Sequence, residues 1–229
     1  MRTLILIPAR AGSKGLPGKN VKVFNGKPLV AHTFEFAKKI AEANDIVCVT
    51  SNDDAVLSIA NELDVFIPFK RPEQLSTDNA SSYDVILHTI NHFESLGNNF
   101  DNVLFLQPTS PFRCVDDYEK VKNLYTNELD MVVSVRVAKD NPYYNLFEQT
   151  EGGYLLKSKE SNFSTRQQCP EIYAFNGAFY LINTLSVKRE NISNFKRIVK
   201  SIMPLDRSVD IDTIEDWHLA EMLAKNAAY

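Results

Sequence analysis

A chain of 229 residues, 44% hydrophobic and 24% charged, is long enough for one sizeable α/β core and too rich in apolar residues to stay disordered. Its formal net charge of −4 excludes broad nonspecific nucleic-acid binding, which needs a basic surface to neutralise phosphates, so a phosphorylated ligand must meet a local basic pocket. The apolar run at 4–7 is shorter than the roughly 7–15 residues of a secretion-signal core, no stretch approaches the ~20 apolar residues that cross a bilayer, and Cys48, Cys114 and Cys169 are odd in number and widely spaced. These features predict a cytoplasmic protein with reduced thiols and with neither nucleic acid nor membrane as partner.

In chain order, residues 3–8 read as a short buried strand, and 21–29 carries turn signals before 30–43 takes up helical periodicity. Residues 45–50 are a second strand, 53–63 a helix, 65–68 a brief strand and 82–96 a longer helix, opened by a capping box between Ser81 and Asp84. A strand at 102–106 runs into the polar turn Gln107-Pro108-Thr109-Ser110-Pro111, a helix follows at 116–125, and the valine-rich 131–137 is a central strand. Strand and helix alternate throughout, which predicts a mainly parallel sheet with helices on both faces. The rhythm breaks at 138–175, where Asn-Pro, Gly152-Gly153 and scattered aromatics mark an insertion with irregular structure or a hairpin. Strands at 177–182 and 198–203 and an amphipathic helix at 214–225 complete a single domain, 1–229.

The loop after the first strand carries the strongest chemical signal. Between Ile7 and Asn20 it holds Gly12, Gly15 and Gly18, the cations Arg10, Lys14 and Lys19, and Ser13. In an open parallel sheet, ligands bind beyond the carboxyl ends of the strands. Glycines let backbone N–H groups approach phosphate oxygens, and the cations supply countercharge. A triphosphate carries about four negative charges near neutral pH, so three cations and a divalent metal suit it better than they suit a lone phosphate. Neither rival fingerprint fits. A Walker A loop would need glycine at Ser13 and a hydroxyl at Asn20, and Gly12-Ser13-Lys14-Gly15 breaks the dinucleotide spacing.

At the carboxyl end, Asp210 and Asp212 stand at i, i+2, a spacing that aims both carboxylates to one side of an extended segment. Magnesium takes one or two carboxylates plus phosphate oxygens and waters, so the pair is a candidate metal site; a capping cluster for the last helix is the alternative. His88 and His92 lack the glutamate of a zinc-protease helix and read as part of a packed or solvated face. Tyr143, Tyr144, Phe147 and Tyr154 read as packing for the insertion or for a subunit interface.

The opening motif Ile-Pro-Ala-Arg-x-Gly-Ser-Lys-Gly-x-x-x-Lys-Asn resembles that of the acylneuraminate cytidylyltransferases, the CMP-sialic acid synthetases. Further stretches in matching order extend the resemblance over nearly the whole chain: Pro68-Phe69-Lys70-Arg71-Pro72, Thr77-Asp78-Asn79-Ala80-Ser81-Ser82, the Gln107 turn, Arg166-Gln167, Asn176-Gly177-Ala178 and Asp210-Ile211-Asp212-Thr213. The resemblance implies a Rossmann-like nucleotidyltransferase fold whose insertion helps form a homodimer and closes over the neighbouring active site. It implies that CMP passes from CTP to the anomeric hydroxyl of a nine-carbon 2-keto sugar acid, with Mg²⁺ as cofactor and pyrophosphate released. Carried over by position, Arg10, Ser13, Lys14, Lys19 and Asn20 hold the phosphates and ribose, Arg71, Ala80 and Ser82 surround the cytosine, and Gln107, Arg166 and Asn176 face the sugar. Arg10, Lys14, Lys19, Asp210 and Asp212 are then the catalytic set, and Asp210 or hydroxide on the metal assists deprotonation. Arg166 is the expected partner of the sugar's carboxylate, through two parallel hydrogen bonds. Some enzymes of the resembling family carry Arg where this chain has Ala174, which leaves the identity of the acid open. An eight-carbon acid (Kdo) as acceptor, and a silent nucleotide-binding module, are the competing readings.

Overall fold

The computed structural model of the protein describes residues 1–12 and 14–226; Ser13 and residues 227–229 lie outside the described residues. After β1 (Thr3–Pro8) come β2 (Val23–Phe24), β3 (Lys27–Pro28), α1 (Leu29–Ile40), β4 (Ile46–Thr50), α2 (Asp54–Glu62), α3 (Ser82–Ser95), β5 (Asn102–Phe105), α4 (Val115–Leu124) and β6 (Met131–Val137). Then follow β7 (Phe147–Gln149), β8 (Leu155–Lys157), β9 (Tyr173–Asn183), α5 (Thr184–Arg189), β10 (Ile198–Ile202) and α6 (Ile214–Asn226). The main sheet has the order β10-β6-β9-β5-β1-β4. It is parallel at every pair except the two that β9 makes with β5 and β6, which is the mainly parallel sheet expected.

Why helices cover both faces follows from β1. Ile5 and Ile7 belong to one apolar cluster with Val30 and Phe34 of α1, Val56 of α2 and Val121 of α4. Leu4 and Leu6 point the other way, to Ile86, Ile90 and Phe93 of α3 and Val187 of α5. A strand with a continuous apolar run from residue 4 to residue 7 is buried on both sides. The anticipated capping box starts α3: the Ser81 hydroxyl accepts from the Asp84 N–H at 3.1 Å while the Asp84 carboxylate accepts from the Ser81 N–H at 3.3 Å.

Three local expectations need correction. Residues 65–68 form no strand, only a lone parallel bridge from Phe66 to Cys48, because Pro68 has no N–H to extend the ladder. β9 begins at Tyr173 rather than at 177. Asn176-Gly177 is an irregularity inside the strand: Gly177 takes φ +75° and the β6–β9 register shifts between Val133 and Val135, as at a bulge. The insertion therefore ends before 173; it holds the antiparallel hairpin β7–β8 and is tied at its neck where the Ala138 N–H donates to the Ile172 carbonyl at 2.8 Å.

A third cluster lies beyond the sheet's carboxyl edge and is the one that builds the site. Leu16, Phe24, Leu29, Phe112, Val209, Ile211, Trp217 and Ala220 are buried together, with Phe24 edge-on to both Phe112 and Trp217. Each aliphatic side chain buried there contributes about 1.5–3 kcal/mol. The cluster fastens the glycine loop, β2, the start of α1, the segment after Pro111, the Val209–Ile211 strip and α6 to one another.

Candidate active site

The glycine loop is anchored at both ends. At its start, the Ala9 N–H donates to the Thr50 carbonyl at 3.0 Å, the Ser51 hydroxyl to the Ala9 carbonyl at 2.5 Å, and the Ala11 N–H to Asn52 Oδ1 at 2.9 Å. At its end, the Asn20 amide donates to the Arg10 carbonyl at 3.1 Å, so Asn20 ties the loop's tail to its head. Between these anchors Arg10 and Lys14 both reach Asp78, at 2.8 and 2.6 Å, and the two cations hold its carboxyl below the usual range. Lys19 runs inward instead. Its ammonium donates to the Ile211 carbonyl at 2.9 Å and to Asp212 Oδ1 at 2.7 Å.

The strip 209–212 explains the acid pair. Val209 and Ile211 are buried in the third cluster, so by strand-like alternation Asp210 and Asp212 fall on the opposite side. The Ile211 N–H donates to the Thr109 carbonyl at 2.8 Å, which pins the strip against the Gln107 turn. Burial raises the Asp210 carboxyl above the ordinary carboxylate range; a hydrogen bond from Thr109 opposes that shift, neighbouring Asp212 adds to it, and Lys19 and Arg113 oppose it. The capping alternative does not consume the pair. α6 is capped by Thr213, whose hydroxyl accepts from the Asp216 N–H at 3.2 Å, and by Asp216, whose carboxylate accepts from the Thr213 and Asp212 N–H groups.

Loop and acid pair meet in one cleft of about 470 Å³, lined by Arg10, Lys14, Lys19, Asn20, Arg71, Ala80, Ser82, Gln107, Asp210 and Asp212 among others. That volume suits a small organic ligand. Gly15 shows how close the two halves come: a Cβ at this position would collide with the Asp212 carbonyl oxygen. Arg71 is buried, donates to the Thr50 carbonyl at 2.6 Å and Thr50 Oγ1 at 3.1 Å, and burial, with Arg10 adding, lowers its guanidinium to about 10. Beside Gln107 a smaller apolar recess of about 270 Å³ opens among Phe105, Phe175, Tyr180 and Ile182.

Two of the expected residues do not line this cleft, and a third is not described. Ser13 lies outside the described residues. Arg166 sits on an exposed turn of the insertion, where its guanidinium donates to the Lys139 carbonyl at 3.0 Å, and it does not line the cleft. Asn176 is 1% exposed. Its amide oxygen accepts from the Ser134 hydroxyl at 2.6 Å and its nitrogen donates to Ser208 Oγ at 3.0 Å, while its carbonyl takes the Ser110 hydroxyl at 3.0 Å. The side chain is thus committed inside the fold, tying β6, the Gln107 turn and the approach to Asp210, instead of being offered to a sugar.

Sequence reasoning gave no role to Arg113, Gly177, Thr109 or Asp78. Arg113 is fully enclosed, donates to the Gln107 and Ser110 carbonyls, and burial drives its guanidinium down to about 9, with Asp210 opposing. At Gly177 a Cβ would come within 2.7 Å of both Gln107 Oε1 and Ser110 Oγ and 3.3 Å of Asp210 Oδ2; glycine is there because Gln107 and Asp210 both pack on its α-carbon. The signal for three of the four lay in motifs already quoted, Asn-Gly-Ala, Gln-Pro-Thr-Ser-Pro and Thr-Asp-Asn; nothing in sequence set Arg113 apart from surface arginines.

Among the described residues no group of three or more His, Cys, Asp or Glu side chains is placed to hold a metal ion. Two carboxylates beside a phosphate loop are nevertheless the donor set magnesium uses when phosphate oxygens and water complete its shell, and Asp210 Oδ1 is buried with no hydrogen-bond partner. The residues present fit that ion. His88 and His92 instead flank the ring of Phe69, at 4.6 and 4.9 Å between centroids.

A parallel α/β sheet with a cationic glycine loop after its first strand and an acid pair facing it defines a nucleotide-handling enzyme. The sequence model of the family described as cytidylyltransferase matches residues 4–229, and the chain belongs to that family. It is 32% identical over 97% of its length to a CMP-N,N′-diacetyllegionaminic acid synthase of Legionella pneumophila, covering 96% of that protein. It is 28% identical over 98% of its length to a pseudaminic acid cytidylyltransferase of Campylobacter jejuni, covering 97% of that one. In fold it resembles a CMP:2-keto-3-deoxy-manno-octonic acid synthetase solved with CTP, at a TM-score of 0.70 and 17% identity, over 99% of this chain and all of the other.

Proposed function

We propose that the protein transfers CMP from CTP to the anomeric hydroxyl of a nine-carbon 2-keto sugar acid and releases pyrophosphate. The observation that carries this reading is the convergence of the cationic loop, the acid pair and Gln107 on one cleft; the names of the two relatives supply the acceptor class. Arg10, Lys14 and Lys19 bind the triphosphate, trading their present partners for phosphate oxygens. Asn20 keeps the loop closed, and Arg71, Ala80 and Ser82 border the base. Gln107 orients the acceptor, whose acyl or methyl substituents suit the apolar recess beside it.

Asp210 and Asp212 would hold Mg²⁺, which supplies charge stabilisation on the phosphoryl oxygens. Asp210, which borders the cleft where the acceptor would lie, takes the proton of the acceptor hydroxyl. The freed oxygen bonds to the α-phosphorus as the bond to the β-phosphate oxygen breaks, and the loop cations take up charge on departing pyrophosphate. Tyr154, Leu155 and Leu156 on the insertion are 77%, 65% and 61% exposed; apolar surface of that kind supports a homodimer in which a second copy covers the hairpin. No helix among the described residues is long and apolar enough to cross a membrane, and a CTP-consuming enzyme with unpaired cysteines belongs in the cytoplasm.

The test is pyrophosphate release from each nucleoside triphosphate with a panel of 2-keto sugar acids, with and without Mg²⁺. Turnover confined to CTP, a nine-carbon acid and Mg²⁺ is expected. Activity with an eight-carbon acid alone would replace the acceptor assignment, and no turnover with any pair would leave a nucleotide-binding module.

A further inference from the structure

A second cleft, of about 420 Å³, shares Asp210 with the first and is lined on its far side by Arg136, Phe175, Leu205 and Leu219. Arg136 is half-buried near the end of β6. Among the described residues its guanidinium has no hydrogen bond and no ion pair. Of the other polar side chains lining the cleft, Asn176 and Ser208 bond each other and Asp216 accepts from Thr213, while Asp210 Oδ1 has no hydrogen-bond partner. A guanidinium held partly out of water without an acceptor is costly unless something else supplies one. In the β6–β9 register Arg136 stands opposite Ala174, and directly opposed side chains share one sheet face. The methyl group of Ala174 therefore leaves open the space into which the arginine extends.

The reaction proposed above adds a geometric requirement, and the inference rests on that reading. In a 2-keto sugar acid in ring form, the attacking hydroxyl and the carboxylate sit on the same carbon. Whatever binds the carboxylate must lie within a few ångströms of whatever receives the hydroxyl. Arg166 of the same chain fails this condition, being exposed on the insertion and bonded to Lys139. Arg136 is the cation that lines one cleft together with Asp210. We propose that Arg136 binds the carboxylate of the acceptor sugar acid and so sets the anomeric hydroxyl in line with the α-phosphorus. The planar fork of the guanidinium can take both carboxylate oxygens at once, which a lysine at this place could not do.

The experiment compares N,N′-diacetyllegionaminate and its methyl ester as acceptors, at fixed saturating CTP and Mg²⁺, for the wild type and for Arg136→Ala, Arg136→Lys and Arg166→Ala. The wild type should prefer the acid over the ester by about 30-fold in kcat/KM, the scale of a charged bidentate hydrogen bond. Arg136→Ala should raise the KM for the acid by a similar factor, lose the preference for acid over ester, and leave the KM for CTP within about twofold. Arg136→Lys should recover only part of the preference, and Arg166→Ala should keep it. A merely structural role for Arg136 would lower turnover of acid and ester alike, and that result overturns the proposal. So does a rise confined to the KM for CTP, or a preference lost in Arg166→Ala and kept in Arg136→Ala. Should Arg136→Ala not fold, Arg136→Lys and the wild-type acid-to-ester ratio decide: a ratio near one sinks the assignment. Failure of the wild type to turn over the acid while it turns over CTP with an eight-carbon acid strikes the acceptor reading instead, and the same ester comparison on that acid then judges Arg136.

Discussion

Around the acid pair, Leu16, Phe24, Phe112, Val209, Ile211 and Trp217 pack into one dry cluster, and functional side chains alternate with buried ones along a single strip. In the insertion, Leu146, Phe147, Tyr154, Leu155 and Leu156 are all exposed, and the hairpin is joined to the sheet through a narrow neck. Both regions are rich in large apolar residues. They differ in where the partner atoms are: within this chain for the first, and, in the reading offered here, on another copy for the second. Substitutions should therefore be felt as chemistry and stability in one region and as assembly in the other.

The comparison breaks most sharply at Asp210. Asp210→Ala should cut kcat on the order of 10³-fold while the melting temperature holds or rises, since a buried carboxyl is removed; near-normal turnover at saturating Mg²⁺ would contradict the whole site. Gly15→Ala comes next. Its Cβ would strike the Asp212 carbonyl, and moving that backbone should lower kcat/KM by about 10²-fold, read in the pyrophosphate assay beside an unchanged far-ultraviolet spectrum.

Asp130 sharpens the same contrast through stability. Its side chain, 3% exposed, accepts from Arg189 at 3.0 Å and Arg197 at 2.9 Å and from the Ser186 hydroxyl at 2.7 Å. The hydrogen bond from Arg197, aided by Ser186 and Arg189 and opposed by burial, holds the carboxyl far below the usual range. A carboxyl depressed in the folded state stabilises it above the unfolded value of ~4 and loses that contribution as pH falls through the folded value. Asp130→Ala should cost about 2 kcal/mol near pH 7, as expected for losing charge-assisted hydrogen bonds to a buried carboxylate, and the gap to wild type should narrow below about pH 4 in denaturant titrations. The smallest effect on folding belongs to the hairpin: the pair Leu155→Ser and Leu156→Ser should shift monomer stability by about 0.5 kcal/mol or less, yet lower the sedimenting mass from dimer to monomer. A large stability loss without dissociation would show that the hairpin packs within its own chain.

Much of the fold was legible because its signals are local. The apolar run within Thr3–Pro8, the Ser81–Asp84 box and the helix at 82–96 follow from periodicity and capping, and the structure has them within a residue or two. The antiparallel course of β9 was not legible: strand direction depends on which neighbours it finds, and the start of the strand before Gly177 depends on its pairing with β6. For the site, charge density and glycine spacing pointed to Arg10, Lys14, Gly15 and Lys19, the family resemblance to Asn20, Arg71, Ala80, Ser82 and Gln107, and i, i+2 spacing anticipated the shared side of Asp210 and Asp212. Asn176 and Arg166 lie away from the lining of this chain's cleft for opposite reasons. A short polar residue in a motif looks the same whether its amide is buried or offered outward, and an arginine's reach across the fold is set by tertiary position. Arg113 and Arg136 escaped notice on the same ground, since burial and the lack of a partner are properties of the folded chain alone.

The Val209-Asp210-Ile211-Asp212 strip gives the enzyme a built-in thermometer. Its inward residues share their cluster with Trp217, the sole tryptophan in the chain, so indole fluorescence reports on the same packing that aims the two carboxylates. On gentle heating, catalytic output should fade in step with that emission and ahead of the backbone's circular dichroism, because the carboxylates lose their aim as soon as this cluster loosens, whether or not the six-stranded sheet is still intact.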